Sequence, residues 1–325
     1  MSEVLAPWQQ RVHDHALATL AAGRLGHALL LCGPAGLGKR AVAGRLAAYV
    51  LSGGEPAAEA RNRPLIAAGT HPDLHIVSFE HNREGTRLRT EIVIEQIREL
   101  GRKLALTPQY GRAQVAIIDP ADALNTAACN ALLKTLEEPA PGRYLWLVSA
   151  RPGRLPATIR SRCQQLEFRL PQREEALAWL CAQGHAPTPA AEALEIARGH
   201  PGLADQWLRG TGLALRREVA TDLDALEAGR ADALEAALRW GGDEQAGERL
   251  YHAAEYVRDR AGAAGLTDPE RLHKLAAWFD AANRARELLR STVRTDLVMA
   301  DLLLAWRDGA RPQPGRVPTG KGEKR

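Results

Sequence analysis

The run Gly33-Pro-Ala-Gly36-Leu-Gly38-Lys39 is the part of this chain best equipped for chemistry on phosphates. In a glycine loop that opens a helix, backbone N–H groups cradle phosphate oxygens and the lysine neutralises the terminal ones. The residue after the lysine should then offer a Ser or Thr hydroxyl to Mg²⁺. Here it is Arg40, a cation that cannot ligate another. A second strand ending in an acid should complete the site, and Val115-Ala-Ile-Ile-Asp119 supplies Asp119 on the metal side. The next position needs a Glu to orient the attacking water, but it is Pro120, with neither a side-chain acceptor nor an N–H. Asp122, three residues after Asp119, lies too far along to take that role. Two separate losses therefore describe a nucleotide fold that hydrolyses ATP poorly or not at all. Weak ATP or ADP binding and no binding, with the loop serving as a plain strand-to-helix turn, both stay open at this point.

The elements that must position these residues are legible around them. Ala28–Cys32 is an apolar run leading straight into the loop, and Leu74–Phe79, Gln114–Asp119, Tyr144–Ser149 and Gln164–Phe168 read as four more short buried strands. Helical patterns separate them: Val42/Leu46/Tyr49, Ile94/Ile97/Leu100/Leu104, and a helix from about Asn125 to Glu138 that stops against Pro139-Ala-Pro141-Gly142. Alternating strands and helices predict a parallel sheet covered on both faces. From Gln172 to Arg307 the strand signal stops, and turn residues at 199–202, 210–212, 241–242 and 268–269 divide what remains into helices. Leu275/Trp278/Phe279 and Leu297/Leu302/Trp306 are the expected core of a helical bundle.

Composition sets the outer bounds. The 325 residues are 45% hydrophobic and 25% charged, enough for two or three domains with real cores, and the Ala/Leu/Arg/Glu richness excludes an all-β fold. Net charge is only +4, and it is unevenly spread: residues 1–170 hold 21 Lys+Arg against 15 Asp+Glu, while residues 171–307 hold 17 against 22. That excess is too small to establish a nucleic-acid partner alone. No apolar run is long enough to cross a bilayer and the N-terminal residues carry no secretion signal, so a cytoplasmic protein is expected. Cys32, Cys129, Cys163 and Cys181 are scattered singly, which predicts neither disulfides nor a zinc site. His71, before Pro72-Asp73, is read as a turn-stabilising residue.

Two longer runs identify a family. Asn130-Ala-Leu-Leu-Lys-Thr-Leu-Glu-Glu-Pro139 and Thr158-Ile-Arg-Ser161-Arg162-Cys163 resemble the clamp-loader branch of the AAA+ family, and Gly69-Thr-His-Pro-Asp73 and Ile94-Glu-Gln-Ile-Arg-Glu-Leu100 fit the same pattern. The likeness is dense over residues 8–170 and architectural beyond. It implies a P-loop AAA+ core over residues 1–170, with a parallel five-stranded sheet and helices on both faces. A small helical lid over 171–208 and an all-α collar over 209–308 that mediates assembly would follow. The basic tail, 309–325, has nothing to pack and is expected to be disordered.

The implied partners are the γ/τ ATPase subunits and the δ subunit of a bacterial clamp loader, and through them the sliding clamp and primed DNA. The implied role is that of the rigid, non-hydrolysing member. Polymerase activity would belong to the whole replicative assembly. In such complexes the arginine of the Ser-Arg-Cys motif, Arg162 here, reaches the neighbouring subunit's ATP as a trans-acting finger; the alternative is an arginine solvated at a helix end or paired with a local carboxylate. A planar guanidinium suits that task because its fork meets γ-phosphate oxygens and stabilises the charge of phosphoryl transfer. Two departures matter. Gly202 stands where active members place a γ-phosphate-sensing lid arginine, and Leu51–Ala68 contains no cysteine for the zinc module that many bacterial members carry. No metal and no obligatory cofactor is expected. An active AAA+ motor, the competing reading, would need a hydroxyl after Lys39, a Glu after Asp119 and the lid arginine. A DNA-binding protein in its own right is the third reading, and the chain carries no dedicated DNA-binding motif to support it.

Overall fold

The protein is described by a computed structural model at residues 4–81, 85, 89–111, 113–264, 268–289 and 293–310. Its contacts divide the chain into two units, residues 1–208 and 209–325.

In the first unit the strands are β1 (Ala28–Cys32), β2 (Leu74–Val77), β3 (Gln114–Ile118), β4 (Arg143–Ser149) and β5 (Gln164–Glu167). They form one parallel sheet in the order β2-β3-β4-β1-β5, with Leu30 beside Leu147 and Gln165. Every residue of β1 and β3 is buried, the pattern of strands covered on both faces. Helices α1 (Pro7–Ala21), α2 (Lys39–Ser52), α3 (Pro56–Ala67), α4 (Ile94–Leu104), α5 (Thr126–Glu137) and the single turn α6 (Ala157–Arg160) connect them. One apolar cluster joins Leu30, Ile118 and Leu147 to Ile97 and Leu100 of α4 and Leu132 and Leu136 of α5. The opposite cluster joins Leu29, Leu31, Ile117 and Trp146 to Val42 and Leu46 of α2 and Trp8 of α1.

Local chemistry fixes the ends of these elements. The Asn125 side chain accepts the Ala128 N–H at 2.9 Å and caps α5. His71 Nδ1 accepts the Asp73 N–H at 3.1 Å, and the Asp73 carboxylate accepts the Gln109 and Tyr110 N–H groups at 2.7 Å each, so Gly69–Asp73 is a clasp for the approach to β3. After β5 the same unit continues as α7 (Arg173–Ala182), α8 (Pro187–Ile196) and α9 (Pro201–Arg209), which bury Leu180, Leu194, Ala204 and Trp207.

The second unit holds α10 (Gly212–Glu227), α11 (Ala233–Gly241), α12 (Ala246–Ala264), α13 (Pro269–Leu288) and α14 (Thr295–Ala310). Its core joins Leu223, Trp240, Leu250, Trp278, Leu302 and Trp306. Trp278 and Trp306 meet edge to face at 5.1 Å, and their indole N–H groups donate to the Leu302 and Leu223 carbonyls at 3.0 and 2.9 Å. Leu297 departs from the expected core: in the first turn of α14 its position faces out, and it is 58% exposed. Helix α14 runs to Ala310, and the tail expected to be disordered lies, from residue 311, outside the described residues.

Candidate functional site

The glycine loop leaves β1 after Cys32 and enters α2 at Lys39, so strand, loop and helix stand in the order that phosphate binding requires. Gly33, Gly36 and Gly38 all take positive φ, at +134°, +80° and +79°, a path open to glycine that lets the loop turn tightly between the two elements. Asp119 follows β3 and is held by its N–H on the Val77 carbonyl at 2.9 Å. Lys39, Arg40 and Asp119 thus meet at the C-terminal edge of the sheet.

What they do there differs from a working ATPase. Arg40 Nη1 donates to Asp119 Oδ2 at 3.0 Å, which puts a guanidinium on the carboxylate that should hold the Mg²⁺ shell. Lys39 turns back on its own loop, donating to the Gly33 carbonyl at 2.7 Å and the Pro34 carbonyl at 2.5 Å. Burial pushes the Lys39 pKa down, and the charges of Asp119 and Asp122 oppose that shift. Asp122 takes no general-base position, since its Oδ1 accepts the Ala150 N–H at 3.0 Å.

Side chains from both flanks close over the remaining loop carbonyls. Trp8 Nε1 and Gln9 Nε2, from α1, both donate to the Leu37 carbonyl at 3.1 Å. From the start of α9, His200 Nε2 bonds the Ala35 carbonyl. His200 Nδ1 accepts the Leu203 N–H at 3.1 Å, so the imidazole is neutral with its proton on Nε2, in line with a pKa lowered by burial. Gly202 lies against the loop: a Cβ there would strike the Gly36 carbonyl oxygen and stand 3.0 Å from its carbon. An arginine at this position is incompatible with that approach. Trp8 also packs edge to face on Trp179 of α7 at 5.2 Å, and Arg11 grips Glu175 at 2.5 and 3.0 Å. As arranged, these residues do not fit a Mg²⁺-nucleotide.

Arg162 belongs to a separate cluster. It follows α6 in the turn before β5, where Nη1 donates to the Thr158 carbonyl at 2.9 Å and Nη2 pairs with Glu137 Oε1 at 2.6 Å. Its side chain is 37% exposed. Ser161 Oγ donates to the same Thr158 carbonyl at 3.3 Å, which tightens the turn. Cys163 is buried, and burial pushes its thiol pKa up to about 11, the reverse of what a nucleophile needs.

Sequence reasoning placed the loop, Asp119 and Arg162 but missed Trp8, Gln9, His200 and Glu137. The available signals were indirect. Gly202 in place of an arginine hinted at a close approach, and Glu137 closes the helix that precedes the arginine turn.

A five-stranded parallel sheet in this order, with a P-loop that carries Arg40 after its lysine, helices α7–α9 following it and a separate helical unit, is the fold of an AAA+ protein. The chain superposes on a DNA polymerase III gamma-subunit-related protein of Thermotoga maritima with a TM-score of 0.52, at 16% identity over 91% of this chain and 100% of that one, a likeness of fold. It is 30% identical over 324 residues to the DNA polymerase III subunit delta' of Escherichia coli K12, covering 92% of this chain and 94% of that relative. It is 40% identical over 218 residues to the corresponding Pseudomonas aeruginosa subunit, 65% of this chain and 63% of that relative. The family described as DNA polymerase III, delta subunit, matches residues 8–172. The chain belongs to the delta' subunit family of bacterial DNA polymerase III.

Proposed function

We propose that the chain is the non-hydrolysing member of a clamp loader: it joins γ/τ ATPase subunits and a δ subunit, and supports ATP-dependent placement of the sliding clamp on primed DNA in the cytoplasm. The observation that carries this reading is the Arg40–Asp119 pair, 3.0 Å apart, where a motor subunit would hold Mg²⁺. With Lys39 bonded to its own loop and His200 on the Ala35 carbonyl, the chain spends its phosphate-binding groups on itself. Such a subunit needs no nucleotide and no zinc to hold its shape. It contributes to catalysis through Arg162, presented to a neighbour's ATP, where an arginine supplied in trans is worth about 10³ to 10⁵ in rate in well-studied phosphoryl transfers. The helical unit from Arg209 onward serves as the collar through which subunits associate.

The test is reconstitution with purified γ/τ, δ and clamp on primed DNA. Omitting this chain should abolish clamp loading, and the chain alone should release no phosphate from ATP. Turnover by the isolated chain would return the motor reading.

A further inference from the structure

We propose that Glu137 is a positioning residue for Arg162, aligning the guanidinium before the neighbouring subunit's nucleotide meets it. The inference rests on the trans role proposed for Arg162 and deepens it. Glu137 is the last residue of α5, twenty positions before the start of the α6 turn that the arginine follows. The two are brought together by packing: Leu132 and Leu136 of α5 share one apolar cluster with Leu155, Ile159 and Cys163. The register of that packing sets the carboxylate beside the arginine, at 2.6 Å from Nη2.

A guanidinium has five N–H donors in a rigid plane. Nη1 donates to the Thr158 carbonyl at 2.9 Å, and the Glu137 carboxylate pairs electrostatically with Nη2 at 2.6 Å. The hydrogen bond and the ion pair together hold the guanidinium in place and leave donors over for an incoming anion. A long flexible side chain held in this way loses less freedom when its target arrives, and the gain is realised where the reacting phosphate needs the arginine in one orientation. Glu137 itself is 47% exposed, so the pair is worth little to stability. Its effect is expected in kinetics.

The experiment is a double-mutant cycle in the reconstituted loader, with steady-state ATP turnover measured for wild type, Glu137→Ala, Arg162→Ala and the double variant, and assembly of each checked by size-exclusion chromatography. Glu137→Ala should lower kcat about threefold to fivefold with KM unchanged, which corresponds to about 1 kcal/mol of orientation. Glu137→Gln, which keeps an acceptor oxygen, should recover part of the loss. In the Arg162→Ala background the Glu137 substitution should do nothing further. An unchanged or raised kcat in Glu137→Ala, or a loss that persists without Arg162, overturns the proposal while leaving the finger standing. If Arg162→Ala is itself without effect, the finger falls and the positioning role falls with it.

Discussion

Replacing Gly202 by alanine should pry α9 off the glycine loop. The added Cβ would meet the Gly36 carbonyl oxygen well inside van der Waals contact, its carbon at 3.0 Å and its Cα at 3.4 Å. All three are backbone atoms, so no rotamer change relieves the clash; either the loop or α9 must shift. Overpacking of this kind costs about 1–3 kcal/mol. In a cooperative unit of roughly two hundred residues each kcal/mol moves Tm by about 2–4 °C, so a fall of about 2–12 °C is expected. Differential scanning calorimetry supplies the number, and limited proteolysis of the connection between β5 and α7 supplies the place. The same logic predicts that Gly202→Arg brings instability and no ATP turnover. A Gly202→Ala variant with the wild-type Tm and cleavage pattern would refute the close approach of α9 to the loop.

Arg40→Thr should free Asp119 and raise affinity for Mg²⁺-ADP, read with a fluorescent nucleotide, at a stability cost within about 1 kcal/mol because the pair is partly exposed; hydrolysis should stay absent while Pro120 remains. His252 in α12 is fully buried and its pKa is lowered to about 4, chiefly by desolvation and then by Arg216. Its neutral form is favoured by folding, so its contribution is complete above the ordinary value of 6.5 and is lost as pH falls through 4, a total of about 3 kcal/mol. Chemical denaturation of wild type and His252→Gln across that window should show a steeper loss of stability with falling pH in wild type than in the variant. Leu234 and Leu238, one turn apart on α11, are 53% and 64% exposed; if the helical unit is the collar, changing both to serine should weaken loader assembly about tenfold, seen by analytical ultracentrifugation, with Tm unchanged.

The fold was legible where one physical requirement dominated. Strand β1 was readable to the residue because every position is buried, and α5 because Asn125 caps it and Pro139 follows it. Strand ends were less so: the runs Leu74–Phe79 and Gln164–Phe168 extend past strands that end at Val77 and Glu167, although the Phe168 N–H still bonds the Cys32 carbonyl at 2.7 Å. Leu297 was misjudged because helical spacing places residues on a face without saying whether that face is covered in the first turn. At the site, the sequence revealed what was missing, a hydroxyl at Arg40 and a carboxylate at Pro120. It could not reveal what filled the gap. That His200 lies 165 residues from Ala35 and that Trp8 and Gln9 reach Leu37 across 29 and 28 positions are products of tertiary packing with no local signature. The same holds for Glu137 beside Arg162.

The central claim is that this chain takes part in ATP hydrolysis that it cannot itself perform, and the most direct test is Arg162→Ala in a loader reconstituted with its γ/τ and δ partners. DNA- and clamp-stimulated phosphate release should fall while the variant still assembles, and the chain alone should be silent. An assembled loader with undiminished turnover after Arg162→Ala would contradict the account.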